Sequence, residues 1–278
     1  MDGQILNDGG ALKQLVTMHH YADDVKQAVK MSVEAGITRI LDQVSEEMAQ
    51  AVDRRSLELE SEDLIKMVWK ANPNTIVALI SSFPYTIDWT QEHVPSILHV
   101  SQCSQELGNA LADVIFGDYN PAGRTTQTWV KDILVLPGML DYDIRNGRTY
   151  MYFKGEPLYP FGYGLSYTSF EYSRLKVRCQ KDSVGMSFDL SNTGGRDGEE
   201  VVQLYVRFPG DDAAMRLRGF ERVPVSEGET VSIDLVVPFE DLKLWDTEAG
   251  AFGLAGGRYE FLIGASSEDI RLSDSVAL

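Results

Sequence analysis

Residues 186–191 read Met-Ser-Phe-Asp-Leu-Ser. Apolar and polar residues alternate strictly there, and a period of two belongs to a strand with one buried and one wet face. The same beat recurs on both sides. Leu175, Val177 and Cys179 alternate with Lys176 and Arg178. Val231, Ile233, Leu235 and Val237 alternate for the most part with polar residues, and Tyr259, Phe261 and Ile263 repeat the pattern. Gly, Asp and Asn turns separate these runs, so they predict antiparallel strands. Several such strands within residues 169–278 predict a β-sandwich, with Phe188, Val202, Leu204, Ile233, Leu235 and Phe261 in its core.

Upstream, the pattern changes. Thr75 to Ser81 (TIVALIS) is apolar without alternation, as is Ser96-Ile97-Leu98-His99-Val100. Such runs suit neighbouring parallel strands buried on both faces. Leu107, Leu111, Val114 and Ile115 fall at helical spacing after them, and strand, connection, strand, helix is an α/β layout. Ser61 is expected to cap an earlier helix, with Glu62 and Asp63 in its first turn and Asn72-Pro73-Asn74 at its end. Further toward the start, Val25, Ala28, Val29 and Val33 mark one helical face. Met48, Ala51 and Val52 mark another. Ile5-Leu6 running into Asn7-Asp8-Gly9-Gly10 reads as the end of a strand. The fold class expected is therefore α/β plus all-β, with the change near residues 165–172.

Composition excludes several functions. The 278 residues carry a net charge of −17, which disfavours gripping a phosphate backbone or an anionic membrane surface. No apolar run approaches the roughly 18 residues that span a bilayer. Met1 to Asp8 lacks a basic stretch followed by an apolar one, so no signal peptide is expected in this chain. Two cysteines, Cys103 and Cys179, are too few for a disulfide scaffold or a thiolate zinc site. His19-His20 is a poor metal pair, because adjacent residues off a helix do not converge on one ion. No cofactor is expected.

The motifs are more specific. Residues 158–168, Leu-Tyr-Pro-Phe-Gly-Tyr-Gly-Leu-Ser-Tyr-Thr, closely resemble the segment that ends the α/β-sandwich domain of glycoside hydrolase family 3. In that family a fibronectin-III-like domain follows directly. Asp118-Tyr119-Asn120-Pro121-Ala122-Gly123-Arg124 with Trp129 resembles a second family stretch, although Thr126 stands where the family usually has proline. Asn72-Pro73-Asn74-Thr75, Leu107 to Asp113, Glu200 to Val206 and Arg218 to Arg222 also fit, in the family's order. Tyr142 to Tyr150 looks closest to the β-xylosidase and β-glucosidase branches. Asn7-Asp8-Gly9-Gly10-Ala11, His19-His20-Tyr21 and Ala35-Gly36-Ile37 are similar to a different part, the end of the catalytic barrel. The resemblance thus implies three parts: residues 1–53 from the barrel's end, 54–168 a partial α/β-sandwich domain, and 169–278 the fibronectin-III-like domain.

What the resemblance implies about activity is hydrolysis of terminal β-linked glucose or xylose with retention, without metal or cofactor. Such chemistry needs one ionised carboxylate to attack the anomeric carbon and a second, protonated, to assist the leaving group. Asp8 falls on the family's nucleophile, with Asn7 in place of the usual serine. Read from the residues alone, Asp8-Gly9 is an ordinary turn. The second carboxylate is not assignable. Glu46 and Glu47 precede Asp53-Arg54, but residues 42–52 read better as a solvated helix. The acid/base loop and most of the barrel are expected to be missing, so the competing reading is a non-catalytic structural or carbohydrate-binding module. Trp89, Trp129 and Trp245 are candidates for stacking on sugar or for core packing, and Tyr163 for a packing anchor. Compartment stays open, since family members occur both exported and cytoplasmic.

Overall fold

The computed structural model describes residues 5–7, 37–40, 54–102, 105–138 and 140–278. Two compact units are present. The first takes residues up to 79 together with 89–99; the second takes 80–88 and 100–278.

In the first unit, β1 (Ile5–Asn7) pairs in parallel with β2 (Ile37–Ile40), Asn7 facing Ile40. The strand expected to end at the Asn-Asp-Gly-Gly turn is therefore present. Helix α1 runs Arg54–Ala71. It corrects the expectation at Ser61, which lies inside the helix and not at its cap. Arg, Leu and Glu between residues 54 and 60 are good helix formers, and nothing among them breaks a helix. The end is as expected: the Asn72 side chain accepts from the Asn74 amide, turning the chain before Pro73-Asn74 can extend the helix. Strands β3 (Ile76–Ile80) and β4 (Ser96–Val100) are hydrogen-bonded neighbours in one two-stranded sheet, and helix α2 (Asp88–His93) lies between them in sequence. At the ends of these strands, in residues that belong to the second unit, the Ser81 amide donates to the Val100 carbonyl at 3.0 Å. That bond joins the C-terminal ends of both strands, as a parallel pair requires. Burial on both faces is not found: Ile76 is 48% exposed. Two strands among the described residues leave part of their faces uncovered.

The second unit includes α3 (Leu107–Phe116), closed by Gly117 in the left-handed conformation. Strands β5 (Trp129–Val130) and β6 (Pro157–Tyr159) form an antiparallel pair, and a short helix, α4 (Thr149–Tyr152), lies between them in sequence. The rest is the expected sandwich. One sheet orders β10 (Arg216–Val225), β9 (Gly198–Arg207), β14 (Arg258–Gly264) and β15 (Ile270–Ala277). The other orders β11 (Thr230–Pro238), β8 (Ser183–Asn192) and β7 (Phe170–Cys179). A short hairpin, β12 (Leu244–Asp246) and β13 (Ala251–Gly253), projects after β11.

Register carries the period of two into the core. Ile233 pairs with Phe188 and Leu235 with Met186 across β11 and β8. Phe188, Val202, Leu204, Ile233 and Phe261 are buried, and Leu235 packs against them partly buried. Strand β7 keeps its beat only through a bulge. Its register shifts between Ser173 and Lys176, and Arg174 there has a positive φ of 59°. The extra residue returns Leu175 and Val177 to the core side after Tyr172. In β9, Val202, Leu204 and Val206 enter the sandwich core, while Gln203 and Tyr205 are buried on the opposite face. That second face makes the link to residues 117–168.

Candidate active site and its supporting junction

Asp8 follows directly on β1, and it lies outside the described residues, as do Glu46, Glu47, His19 and His20. What is described on either side of Asp8 is a parallel strand pair whose first strand ends at Asn7. Parallel strands that deliver a side chain at their C-terminal end are the usual platform for barrel chemistry.

The motifs of residues 118–168 converge on β9. Asn120 is the hub. Its carbonyl oxygen accepts from the Tyr167 amide at 2.8 Å and from the Ser166 hydroxyl at 3.0 Å, while its amide donates to the Asp197 carbonyl at 3.0 Å. Arg124 reaches Glu200 at 3.0 Å, with side-chain exposures of 8% and 5%. Arg196 donates to the Gly117 carbonyl at 2.6 Å. Tyr119 and Glu199 share Arg222.

The Phe161-Gly162-Tyr163 turn is seated by a second network. Gln203 donates to the carbonyls of Gly162 at 3.0 Å and Ala265 at 2.6 Å, and its oxygen accepts from the buried Tyr205 hydroxyl at 2.6 Å. Gly162 has φ of 82°, and a Cβ there would lie 2.0 Å from the Gln203 side-chain oxygen. Only glycine fits both demands. Tyr150 stacks on Phe161 at 4.5 Å and meets Tyr205 edge-on at 5.8 Å. Tyr163 stacks on Tyr159 at 5.2 Å, the anchor role expected of it. Burial, with Tyr163 alongside, pushes the Tyr159 phenol up to about 12. It therefore stays protonated at neutral pH and supplies no base.

The carboxylates with resolved shifts point away from general-acid work. Hydrogen bonds from Arg145 hold Asp143 below its usual range, and a hydrogen bond from Arg222 does the same for Glu199. Burial pushes Asp211 up, but hydrogen bonds from Arg216 and the Ala213 amide outweigh it and lower the carboxyl overall. A glycosidase acid needs the opposite shift. Among the described residues no group of three or more His, Cys, Asp and Glu is gathered to hold a metal ion. No helix among them is long and apolar enough to cross a membrane.

The tryptophans divide. Trp129 is 2% exposed and packs edge-on against Tyr159 at 5.6 Å, so it is core. Trp89 stacks on His93 at 4.3 Å and meets Trp69 edge-on at 5.7 Å, a packing role in the first unit. Trp245 is 57% exposed, with Phe252 edge-on at 5.3 Å. Sequence reading missed Phe252 and Phe220 beside it. Each sits in a run without clean alternation, so nothing in the pattern marks them as outward.

A model of the Glycosyl hydrolase family 3 C-terminal domain matches residues 12–167, and one of the Fibronectin type III-like domain matches residues 200–267. The chain is 38% identical over 223 residues to a xylan 1,4-beta-xylosidase of Xylanibacter ruminicola, covering 78% of this chain and 26% of that protein. It is 36% identical over 240 residues to a beta-glucosidase of Rhizobium radiobacter, covering 78% of this chain and 29% of the other. Among solved structures, the beta-glucosidase of Kluyveromyces marxianus in complex with glucose superposes with a TM-score of 0.74 at 30% identity, over 79% of this chain and 28% of that one. Beta-glucosidase 3B of Thermotoga neapolitana gives 0.71 at 33% identity, over 78% and 33%. The chain thus spans between a quarter and a third of the length of these relatives. With the first model matching more than half of its residues, the chain belongs to glycosyl hydrolase family 3.

Proposed function

We propose that these residues serve a retaining β-glycosidase that hydrolyses terminal β-linked glucose or xylose, with Asp8 as its nucleophile. The observation that carries this reading is the position of Asp8, immediately after a strand paired in parallel and four residues before the family match begins. Xylosidase and glucosidase names among the relatives support the choice of sugars. In the reaction the Asp8 carboxylate would attack the anomeric carbon as the glycosidic oxygen departs with a proton. Water would then displace the sugar from the ester, with overall retention. No carboxylate is assigned as the acid.

The proposed division is 1–53 for the barrel's end, 54–168 for a partial α/β sandwich and 169–278 for the fibronectin-III-like domain. The family match ending at 167 and the start of β7 at Phe170 support the second boundary. The first rests on the motifs alone, since the match already begins at residue 12.

By this proposal the 278 residues by themselves lack the walls of a sugar pocket. Positioning a reactant contributes about 7–11 kcal/mol, and general-acid help about 10²–10⁴-fold. An aryl glycoside with a good leaving group dispenses with the acid but not with the pocket. The test is 4-nitrophenyl β-glucoside and β-xyloside turnover by the purified 278-residue chain beside Asp8→Asn. Equal trace rates are expected. Clear turnover that vanishes in Asp8→Asn would refute the missing pocket while supporting the nucleophile. Turnover that survives the substitution would refute the nucleophile.

A further inference from the structure

We propose that the sandwich carries a binding surface for a neutral, β-linked glucan or xylan chain, formed by β10 and the β12–β13 hairpin. Three aromatic rings stand in solvent there: Phe220 is 67% exposed, Trp245 57% and Phe252 65%. Phe220 and Phe252 line an open groove of about 590 Å³, within the range of small-molecule sites. Trp245 extends the groove's aromatic side through its edge-on contact with Phe252.

The rest of the lining is polar. Arg218, Glu240, Asp241 and Lys243 face the groove, with Lys243 and Glu240 paired at 2.5 Å. The Arg218 guanidinium lies 5.0 Å over the Phe208 ring, and one of its terminal nitrogens donates to the Leu217 carbonyl at 3.1 Å. Its Nε is buried with no partner.

Flat aromatic faces beside a mix of donors and acceptors match the two surfaces of a pyranose, its C–H faces and its rim of hydroxyls. The open shape suits an extended chain better than a single sugar. Arg218 and Lys243 balance Glu240 and Asp241, so the lining holds no excess charge to draw an ion of either sign, which suits a neutral polysaccharide. The choice of β-linkage rests on the reading of the chain as acting on β-glycosides; the surface itself does not depend on Asp8.

The test is electrophoresis of the 278-residue chain through native gels containing mixed-linkage β-glucan, xylan or soluble starch. Calorimetric titration with cellohexaose and xylohexaose accompanies it. Retardation by β-glucan or xylan and not by starch is expected, with Trp245→Ala and Arg218→Gln each weakening binding about tenfold, as for interface anchors. Trp245 is exposed, so Trp245→Ala should keep the thermal midpoint of the parent chain, and lost binding then reports the surface. Absence of retardation, equal retardation by starch, or undiminished binding by a folded Trp245→Ala chain would each overturn the proposal. These gels read binding without turnover, so their failure and a failed hydrolysis assay are separate results.

Discussion

Replacing Arg124 by methionine removes the charge that pairs Glu200 while keeping most of the side-chain volume. The two groups are 3.0 Å apart, with side-chain exposures of 8% and 5%, so Glu200 is left as a buried carboxylate without its ion-pair partner. Breaking a buried pair from one side costs about 3–5 kcal/mol, whereas replacing both partners by apolar residues is often neutral. Packing loss from the swap itself is small, because methionine adapts to irregular space. In a unit of this size each kcal/mol lowers the midpoint by about 2–4 °C, so Arg124→Met should lose roughly 6–20 °C. Tryptophan fluorescence in urea and on heating reads the transition, since Trp129 is buried near the same junction. The double variant Arg124→Met, Glu200→Met should recover most of the loss. A single-variant cost below about 1 kcal/mol, within the range of an exposed pair, would refute the reasoning. So would a double variant as unstable as the single one.

Gly162→Ala should destabilise by about 2–4 kcal/mol, combining a left-handed backbone with a Cβ 2.0 Å from Gln203, and a urea midpoint within error of the parent would contradict this. Phe188→Ala, in the centre of β8 and 1% exposed, should cost about 3–5 kcal/mol in the same melt. Asp211 has its carboxyl lowered on folding, so its contribution is present above about pH 4 and lost as pH falls through the folded value. Stability measured from pH 6 to pH 2.5 should therefore drop less steeply in Asp211→Asn than in the parent, and parallel curves would exclude the Asp211–Arg216 pair as a source of acid lability.

The sandwich was legible because period two fixes a strand's buried face, and Phe188, Ile233 and Phe261 lie where their alternation puts them. The bulge at Arg174 was not legible. It inserts a residue while leaving the composition of β7 ordinary. Ser61 misled because a good cap residue followed by acids looks like a start even when the preceding turn is also helix-forming. TIVALIS gave a strand correctly, but its cover depends on elements that a local window does not contain. The pairing of Arg124 with Glu200 joins residues 76 apart, each in a motif recognisable by itself. No spacing rule announces that two such motifs meet. For the same reason Trp245 stood level with Trp129 in the sequence and separated from it only once exposure was known.

The most direct test of the account is to locate a covalent adduct. The part of a family relative's barrel that precedes the strand matching β1 is fused ahead of this chain and the hybrid incubated with an activated 2-deoxy-2-fluoro β-glycoside, which forms the glycosyl ester and hydrolyses it slowly. Peptide mass spectrometry then reads the labelled residue. The account predicts a label on Asp8 in the hybrid and none in its Asp8→Asn counterpart. A label on any other carboxylate, or one that persists in Asp8→Asn, would contradict it.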